Sequence, residues 1–507
     1  MIEMCDNLLE FYPQEIAKLH RRFERFRRIK QSWSNEMIEA PNAGDCGETA
    51  SVGSRAERFS PLRVEQGEAP SYHLTTFGCQ MNVYDSEMME GILAAKGWRR
   101  AASETEADFI LYNTCVVRDG AEQRARRRLA QLAALKRRDP GKIIGVAGCM
   151  AQKDAESLRE SLPHVDLVIG TRAIPRLSPL LDRIRATGEP QTCVEILDDS
   201  FVADVVPVRQ RPLKGLINII LGCNKNCSYC IVPMTRGREV SRAPEEIVVE
   251  ASQMAERGWR EVTLVGQNVN SYRAVDAGGA RVDFGALLRL VDRVRPAMRV
   301  RYITSHPRDC NESHVRAVAE CENVCENFHL PAQSGSTAVL RKMHRGYSRE
   351  RYLRLVDRAR AAVPDATLTT DLIVGFPGET DADFRETMSL VEEVRFDSAY
   401  MYMYSPRPGT TAAEKFDDHV PLAIKKERLA ELIARQEAIS AEINRSAIGS
   451  TLEVLIEDDA PRTPGDLLAR TRGDKTVILP GPREWIGRTL DARVEGANAH
   501  TLFARAA

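Results

Sequence analysis

Cys223, Cys227 and Cys230 crowd into the stretch LGCNKNCSYCIVP with the spacing C-x3-C-x2-C and no fourth cysteine nearby. Thiolates this close together bind metal or do redox chemistry. A structural zinc site closes with four ligands, often two C-x2-4-C pairs, and a disulfide framework takes an even count in a small secreted chain. Three thiolates suit a 4Fe–4S cluster, usually held by four, with one iron left open for another ligand. A chance group of buried cysteines and a zinc site completed by a remote fourth ligand are the competing readings. An open iron can take the amino and carboxylate groups of S-adenosylmethionine (SAM). An electron passed into the sulfonium then breaks a C–S bond, chemistry that belongs to the cofactor while the protein positions it.

The elements around this triad read as α/β. From residue 213, GLINIIL (215–221), EVTLVG (261–266), RVRYITS (299–305), CENFHLP (325–331), ATLTTDLIVG (366–375) and FDSAYMYMYS (396–405) predict strands separated by amphipathic helices. Six such units suggest a partial, open (β/α)6 barrel with its ligands at the C-terminal strand ends, where the triad falls. Upstream, SYHLTTFG, DFILYNT, KIIGVAG and VDLVIGT predict another parallel sheet between helices, ending near residue 187. Cys79, Cys115 and Cys149 each follow one of its strands. A lone cysteine there is more often a small buried residue than a ligand. Successive strand ends of a parallel sheet nevertheless converge on one edge, so these three could meet. Cys5, Cys46, Cys193, Cys310, Cys321 and Cys325 are read as structural. Residues 425–449 predict a long helix ending at a Gly449 cap. The period then switches to two, which predicts a small antiparallel barrel over 447–507.

Near-equal charge, 71 Lys and Arg against 72 Asp and Glu, leaves no global field to draw in nucleic acid, so any such contact needs local patches. No run of about 18 apolar residues predicts a membrane span, and no N-terminal apolar region predicts a signal peptide. With 12 cysteines and no export signal, a reducing cytoplasmic location is expected. Residues 1–70, with a basic stretch at 20–31 and a polar one at 34–59, are expected to be a poorly ordered extension.

TTFGCQMNVYDSE, LYNTCVVRDGAEQ, GVAGCMAQK, GCNKNCSYCIVPMTRGREVSR, LVGQNVNSY, TSHPRD, FHLPAQSGSTAVLRKMHRGYSRERY, DLIVGFPGET and MYSPRPGT together resemble the radical SAM methylthiotransferases, in their tRNA-acting, MiaB-type branch. The likeness covers residues 71–507. Asn226, Met234 and Ala332 depart from the usual residues, and no cysteine of either triad does. The resemblance implies two 4Fe–4S clusters, an auxiliary one on Cys79, Cys115 and Cys149 within 71–187 and a SAM-binding one on Cys223, Cys227 and Cys230 within a core of 209–446. It also implies a TRAM-like RNA-binding barrel over 447–507.

The implied reaction is methylthiolation of C2 of N6-isopentenyladenosine at position 37 of tRNA. One SAM would give the methyl group and another a 5′-deoxyadenosyl radical, with flavodoxin or ferredoxin as electron donor. A monomer without membrane contact is expected. Gly266, Gln267, Asn268, Ser305, His306, Gln333 and Ser334, polar or tight positions at strand ends, are candidates for the SAM or substrate pocket; capping or loop hydrogen bonds are the alternative. Arg470, Arg472, Lys475 and Arg483 are candidate RNA contacts, as is the helical run of Arg124, Arg126, Arg127, Arg128, Lys136, Arg137 and Arg138, against a plain solvated face. Related substrates, a threonylcarbamoyl-adenosine or a ribosomal-protein aspartate, and a non-catalytic iron–sulfur carrier or RNA-binding module are the rival readings.

Overall fold

A computed structural model describes residues 69–507 except 118, 197–204, 210–212 and 296–297. The stretches 20–31 and 34–59, with Cys5 and Cys46, lie outside the described residues.

The first sheet is parallel, with strands β1 (Ser71–Thr76), β2 (Arg99–Arg100), β3 (Phe109–Thr114), β4 (Ile143–Gly148), β5 (Leu167–Ile169) and β6 (Gln191–Cys193) in the order β2-β1-β3-β4-β5-β6. Both central strands, FILYNT and IIGVAG, are buried throughout, because helices cover both faces and polar alternation disappears. Met89 and Leu93 from the Gln80–Ala95 helix and Leu181 and Ile184 from Leu177–Thr187 pack on one face. Leu129 and Leu132 from Asp119–Arg138 and Met150 and Leu158 from Cys149–Ser161 pack on the other. The sheet runs past residue 187: the chain turns at left-handed Gly188 and adds β6 beside β5.

The second unit has six parallel strands: β7 (Lys214–Leu221), β9 (Glu261–Gly266), β12 (Arg299–Tyr302), β13 (Asn327–His329), β14 (Thr367–Val374) and β15 (Ser398–Met403). β8 (Val240–Ser241) folds back antiparallel on β7, and β10 (Arg273–Val275) with β11 (Arg281–Asp283) forms a short hairpin. Between β12 and β13 the ladder thins to Val300, bonded to the backbone of Asn323 and Cys325. The strand order leaves an open seam between β7 and β15. Along β14, Leu368, Leu372 and Val374 are buried against the helices, while Thr369, Asp371 and Ile373 are half-buried on the opposite, inner face.

The long helix spans Leu422–Ser446 and ends at Ala447. Gly449, expected as its cap, lies two residues further on, with φ of 90°, and donates its N–H to Val494 in the next domain. There β16 (Thr451–Asp459), β17 (Asp466–Thr471), β18 (Thr476–Pro480), β19 (Thr489–Ala497) and β20 (Thr501–Ala506) close a barrel in the order β16-β17-β18-β20-β19. Its alternating inward residues, such as Val454, Ile456, Val477, Leu479 and Leu502, make a separate core. One pairing, β18 with β20, is parallel rather than antiparallel, because β20 passes β19 to close the ring. Among the described residues no helix is long and apolar enough to cross a membrane.

Candidate cluster and cofactor site

Cys79 precedes the Gln80–Ala95 helix, Cys115 follows β3, and Cys149 opens the Cys149–Ser161 helix after β4. Parallel strand ends thus bring the three thiols to one edge. Gly148, before Cys149, has φ of 90°, and a Cβ there would meet Asn113 Oδ1 at 2.4 Å. Only glycine lets the chain turn so tightly at that point. The Cys79 thiol donates to Asn82 Oδ1 at 3.4 Å. The neighbouring Cys115 thiol, with the nearby charge of Arg236 and against burial, draws Cys79 down to about 6. Burial pushes Cys149 up.

Arg236 is the residue the sequence reading missed, although it quoted the block MTRGREV that contains it. It ends the short Val232–Arg236 helix, directly after the second triad. Its guanidinium is buried and pairs with buried Asp85 at 2.7 Å, beside Cys79 and Cys149. Arg172, just past β5, donates to the carbonyls of Arg236 at 2.9 Å and Arg238 at 2.7 Å, and Thr171 Oγ1 donates to Thr235 O at 2.5 Å. The loop carrying the second triad is therefore clamped onto the strand edge carrying the first.

Cys223, Cys227 and Cys230 lie on the loop after β7, at the C-terminal end of the open barrel. Gly222 turns the chain with φ of 72°, and a Cβ would meet Arg238 O at 2.0 Å. Burial pushes Cys223 up to about 11 and Cys230 up to about 12, the neighbouring Cys227 adding to the latter. Arg345, buried, donates from Nη1 towards Cys227 Sγ at 3.3 Å and from Nη2 to Pro331 O at 2.8 Å. His306 Nε2 lies 3.9 Å from the same sulfur. Burial, then the charges of Arg345, Lys225 and Arg308, hold His306 neutral, down to about 2. All cysteines among the described residues are free thiols. No set of three His, Cys, Asp or Glu side chains among them is spaced for a single metal ion. A cubane takes each thiolate on a different iron, so its ligands need not converge on one point.

Three of the expected pocket residues carry buried atoms with no hydrogen-bond partner: Gln267 Nε2, Asn268 Oδ1 and Ser305 Oγ. Buried polar atoms are normally satisfied, so such a group calls for a ligand or water. Each belongs to a residue tied to, or adjoining one tied to, the cysteine loop. Gln267 Oε1 accepts from Gly222 N. Asn268 Nδ2 and Lys225 Nζ both bind Asp309, at 2.7 and 2.8 Å, and Ser305 adjoins His306. Thr304, immediately before, has φ of 71°, an uncommon strain for a β-branched residue. This donor set fits a small polar ligand beside the triad. Gly266 allows close backbone approach, since a Cβ would meet Ile220 Cγ2 at 2.4 Å. Gln333 is buried at φ of 70°. Ser334 is committed to Thr387 Oγ1 at 3.3 Å and Ser336 N at 3.1 Å, a structural use.

On the inner face of the barrel, the exposed rings of Tyr400 and Tyr402 border the seam. His329 packs edge-on to Tyr400 at 6.1 Å and lies 3.6 Å from Asp371. The sequence offered one signal here: the alternation of AYMYMY, with Met401 and Met403 on the core side.

Three of the four basic residues expected to meet RNA are paired with acids instead, Arg472 and Lys475 with acids of the open barrel and Arg470 with acids of its own barrel. Arg470 pairs with Glu457 at 3.2 Å and Asp474 at 3.3 Å, Arg472 with Glu326 at 2.6 Å, and Lys475 with Asp397 at 2.7 Å. Arg483 pairs with Asp459 but keeps an exposed side chain. In the helical run, Arg126, Arg128 and Lys136 pair with acids of their own domain, while Arg124, Arg127, Arg137 and Arg138 are exposed.

Residues 71–170 match the model of UPF0004, an uncharacterized protein family, residues 217–391 that of the radical SAM superfamily, and residues 445–507 that of the TRAM domain. The tRNA-2-methylthio-N(6)-dimethylallyladenosine synthase of Symbiobacterium thermophilum is 44% identical over 87% of this chain and 95% of its own length. The enzyme of the same name from Syntrophomonas wolfei is 44% identical over 85% and 96%. Among solved structures, the radical S-adenosylmethionine methyltransferase TsrM from Kitasatospora setae superposes with a TM-score of 0.51 over 68% of this chain and 77% of that one. At 14% identity that likeness is one of fold.

Proposed function

The chain belongs to the tRNA-2-methylthio-N(6)-dimethylallyladenosine synthase family of radical SAM enzymes, and on that premise we propose how its residues share the work. It is a tRNA methylthiotransferase, and its substrate carbon is C2 of an N6-isopentenyladenosine, at position 37. One observation supports this reading above others: the Thr235–Arg238 segment, directly after one cysteine triad, is pinned to the strand edge that carries the other. Radical SAM membership brings SAM and one 4Fe–4S cluster; a second cluster is part of the proposal. Cys223, Cys227 and Cys230 would hold the first and Cys79, Cys115 and Cys149 the second. Bound there, such centres supply the one-electron and sulfur chemistry that side chains lack, which an unactivated ring carbon requires.

The chain's own residues bind and orient. Gln267 Nε2, Asn268 Oδ1 and Ser305 Oγ offer unsatisfied contacts to the polar groups of SAM. Arg345 and neutral His306 fix the Cys227 side of the loop. Arg236 and Asp85 hold the two triads in register. Tyr400 and Tyr402, exposed beside the seam, give a splayed anticodon-loop base aromatic faces to stack on. Of the basic residues on the terminal barrel, Arg483 keeps the exposure that a phosphate contact needs.

The test removes each triad separately. Alanine at Cys223, Cys227 and Cys230 should leave about four irons per chain and abolish SAM cleavage; alanine at Cys79, Cys115 and Cys149 should leave about four irons and preserve it. Neither variant should methylthiolate isopentenylated tRNA, read by mass spectrometry of its nucleosides. Wild-type iron content in either variant would refute that triad as a cluster site.

A further inference from the structure

A shallow pocket of about 40 Å³ opens on the outer wall of the open barrel, between the Pro307–Asp309 turn and the Arg349–Ala362 helix. Arg308, Arg351 and Arg358 line it, with Tyr347 and Tyr352 behind them. All three arginines are exposed. Among the described residues, many arginines face a carboxylate. These three have none within ion-pair distance among the described residues, and Arg358 donates only to Cys310 O at 3.3 Å. In a chain whose formal net charge is −1, this is a local concentration of uncompensated positive charge.

The position of the pocket is as informative as its charge. Tyr347, its back wall, accepts from Arg345 Nε at 3.0 Å, and Arg345 Nη1 lies 3.3 Å from Cys227 Sγ. Two side chains therefore separate the pocket from the second triad. The helices after β12 and β13 that flank it cover the middle of the barrel wall, away from the β7–β15 seam. A substrate base entering by the seam leaves this face clear. The pocket also lacks the exposed ring that single-stranded RNA stacks on, since Tyr347 and Tyr352 are buried.

We propose that this arginine-lined pocket docks the acidic surface of a small one-electron carrier protein. The inference rests on reading Cys223, Cys227 and Cys230 as the site that is reduced. The carrier loses one electron and that site gains it; no atom or proton moves. Opposite charge speeds encounter and sets orientation, and it makes binding salt-dependent.

The full chain, with its iron centres reconstituted, is compared with Arg351→Glu/Arg358→Glu and with the milder Arg351→Gln/Arg358→Gln. Both residues lie outside the cysteine loops and the SAM pocket. The measurements are affinity for a reduced flavodoxin or ferredoxin across a salt series, SAM cleavage driven by that carrier or by dithionite, and affinity for isopentenylated tRNA. Wild type should bind the carrier more weakly as salt rises. The charge-reversed variant should lose about tenfold or more in carrier affinity, flatten the salt dependence, and lose carrier-driven cleavage in step. The glutamine variant should fall between. Dithionite-driven cleavage and tRNA affinity should stay within about twofold of wild type, dithionite needing no docking site. Unchanged carrier affinity in both variants would overturn the proposal. Loss of tRNA affinity with carrier affinity intact would also overturn it and give the pocket to RNA phosphate. A wild-type chain that binds the carrier but cleaves no SAM with dithionite would sink the functional reading and leave the docking site standing.

Discussion

Replacing Arg301 by Met should release the terminal barrel while leaving both cysteine triads intact. Arg301 is buried on β12 and makes three hydrogen bonds. Nε donates to Glu261 at 2.8 Å, Nη1 to Arg472 O at 2.7 Å and Nη2 to Thr471 O at 2.7 Å. The first partner belongs to the open barrel and the other two to the terminal barrel. Burial pushes the Glu261 carboxyl up, but Arg301 and then Lys214 more than offset it, so it stays below its ordinary 4.5. Methionine fills similar volume but leaves that carboxylate, 2% exposed, to Lys214 alone at 3.4 Å, and removes a donor from both carbonyls, of which Thr471 O keeps the Asp474 N–H. Breaking a buried pair from one side costs about 3–5 kcal/mol. This overlaps with the hydrogen-bond loss and is not added to it. If the cost falls on docking, amide exchange in β17 and the turn through Asp474 should accelerate by roughly two to three and a half orders of magnitude, at tenfold per ~1.4 kcal/mol. Exchange at the cysteine loops should not change. Arg301→Met/Glu261→Gln should recover part of the loss by removing a buried charge left with a single partner. Arg301→Lys should keep the pairing with Glu261 but lose the fork to the two carbonyls. Exchange in β17 within threefold of wild type, measured by mass spectrometry, would refute this account of how the domain is held.

Arg236→Gln strands buried Asp85 beside the first triad, at a cost of about 3–5 kcal/mol; the reconstituted chain should lose about four irons and melt earlier, and full iron with an unchanged melt would show the pair to be dispensable. Tyr400→Ala and Tyr402→Ala should each cost about 1–3 kcal/mol of base stacking, seen as weaker use of tRNA with SAM cleavage in its absence unaltered; normal tRNA kinetics would remove these rings from the substrate path. His314 is buried among Phe284, Tyr302 and Phe328, and burial lowers it from 6.5 to about 3. The unfolded chain therefore takes a proton first as pH falls below 6.5, so this contribution to stability is complete above 6.5 and is lost toward 3. His314→Leu should flatten the urea-measured pH dependence between pH 6 and 4 by up to about 1.4 kcal/mol per pH unit, and an unchanged slope would contradict the assignment.

Much of this protein is legible along the chain because its signals are local. The C-x3-C-x2-C spacing needs no fold to show that three thiols share one loop. The apolar runs FILYNT and IIGVAG mark buried parallel strands, and period two after residue 450 marks a barrel, since side-chain periodicity follows from backbone geometry alone. Strand-end placement of Cys79, Cys115 and Cys149 was enough to suggest that they meet, because parallel order brings strand ends to one edge. Charge was where local reading failed. Arg470, Arg472 and Lys475 have the composition of an RNA-facing patch, yet Glu457, Glu326 and Asp397 claim them. Two of those partners, Glu326 and Asp397, lie far away in sequence, and pairing at that range is visible only once the domains dock. Arg236 shows the converse: nothing in its basic block marks one arginine apart from the others, and only the fold buries it against Asp85, 151 positions upstream in the numbering. The unpaired arginines around Tyr347 come from two separate segments, and no stretch of sequence contains their pocket. A side chain's type and spacing state what it can do; its desolvation and its partner, which settle what a charge does, are properties of the assembled structure.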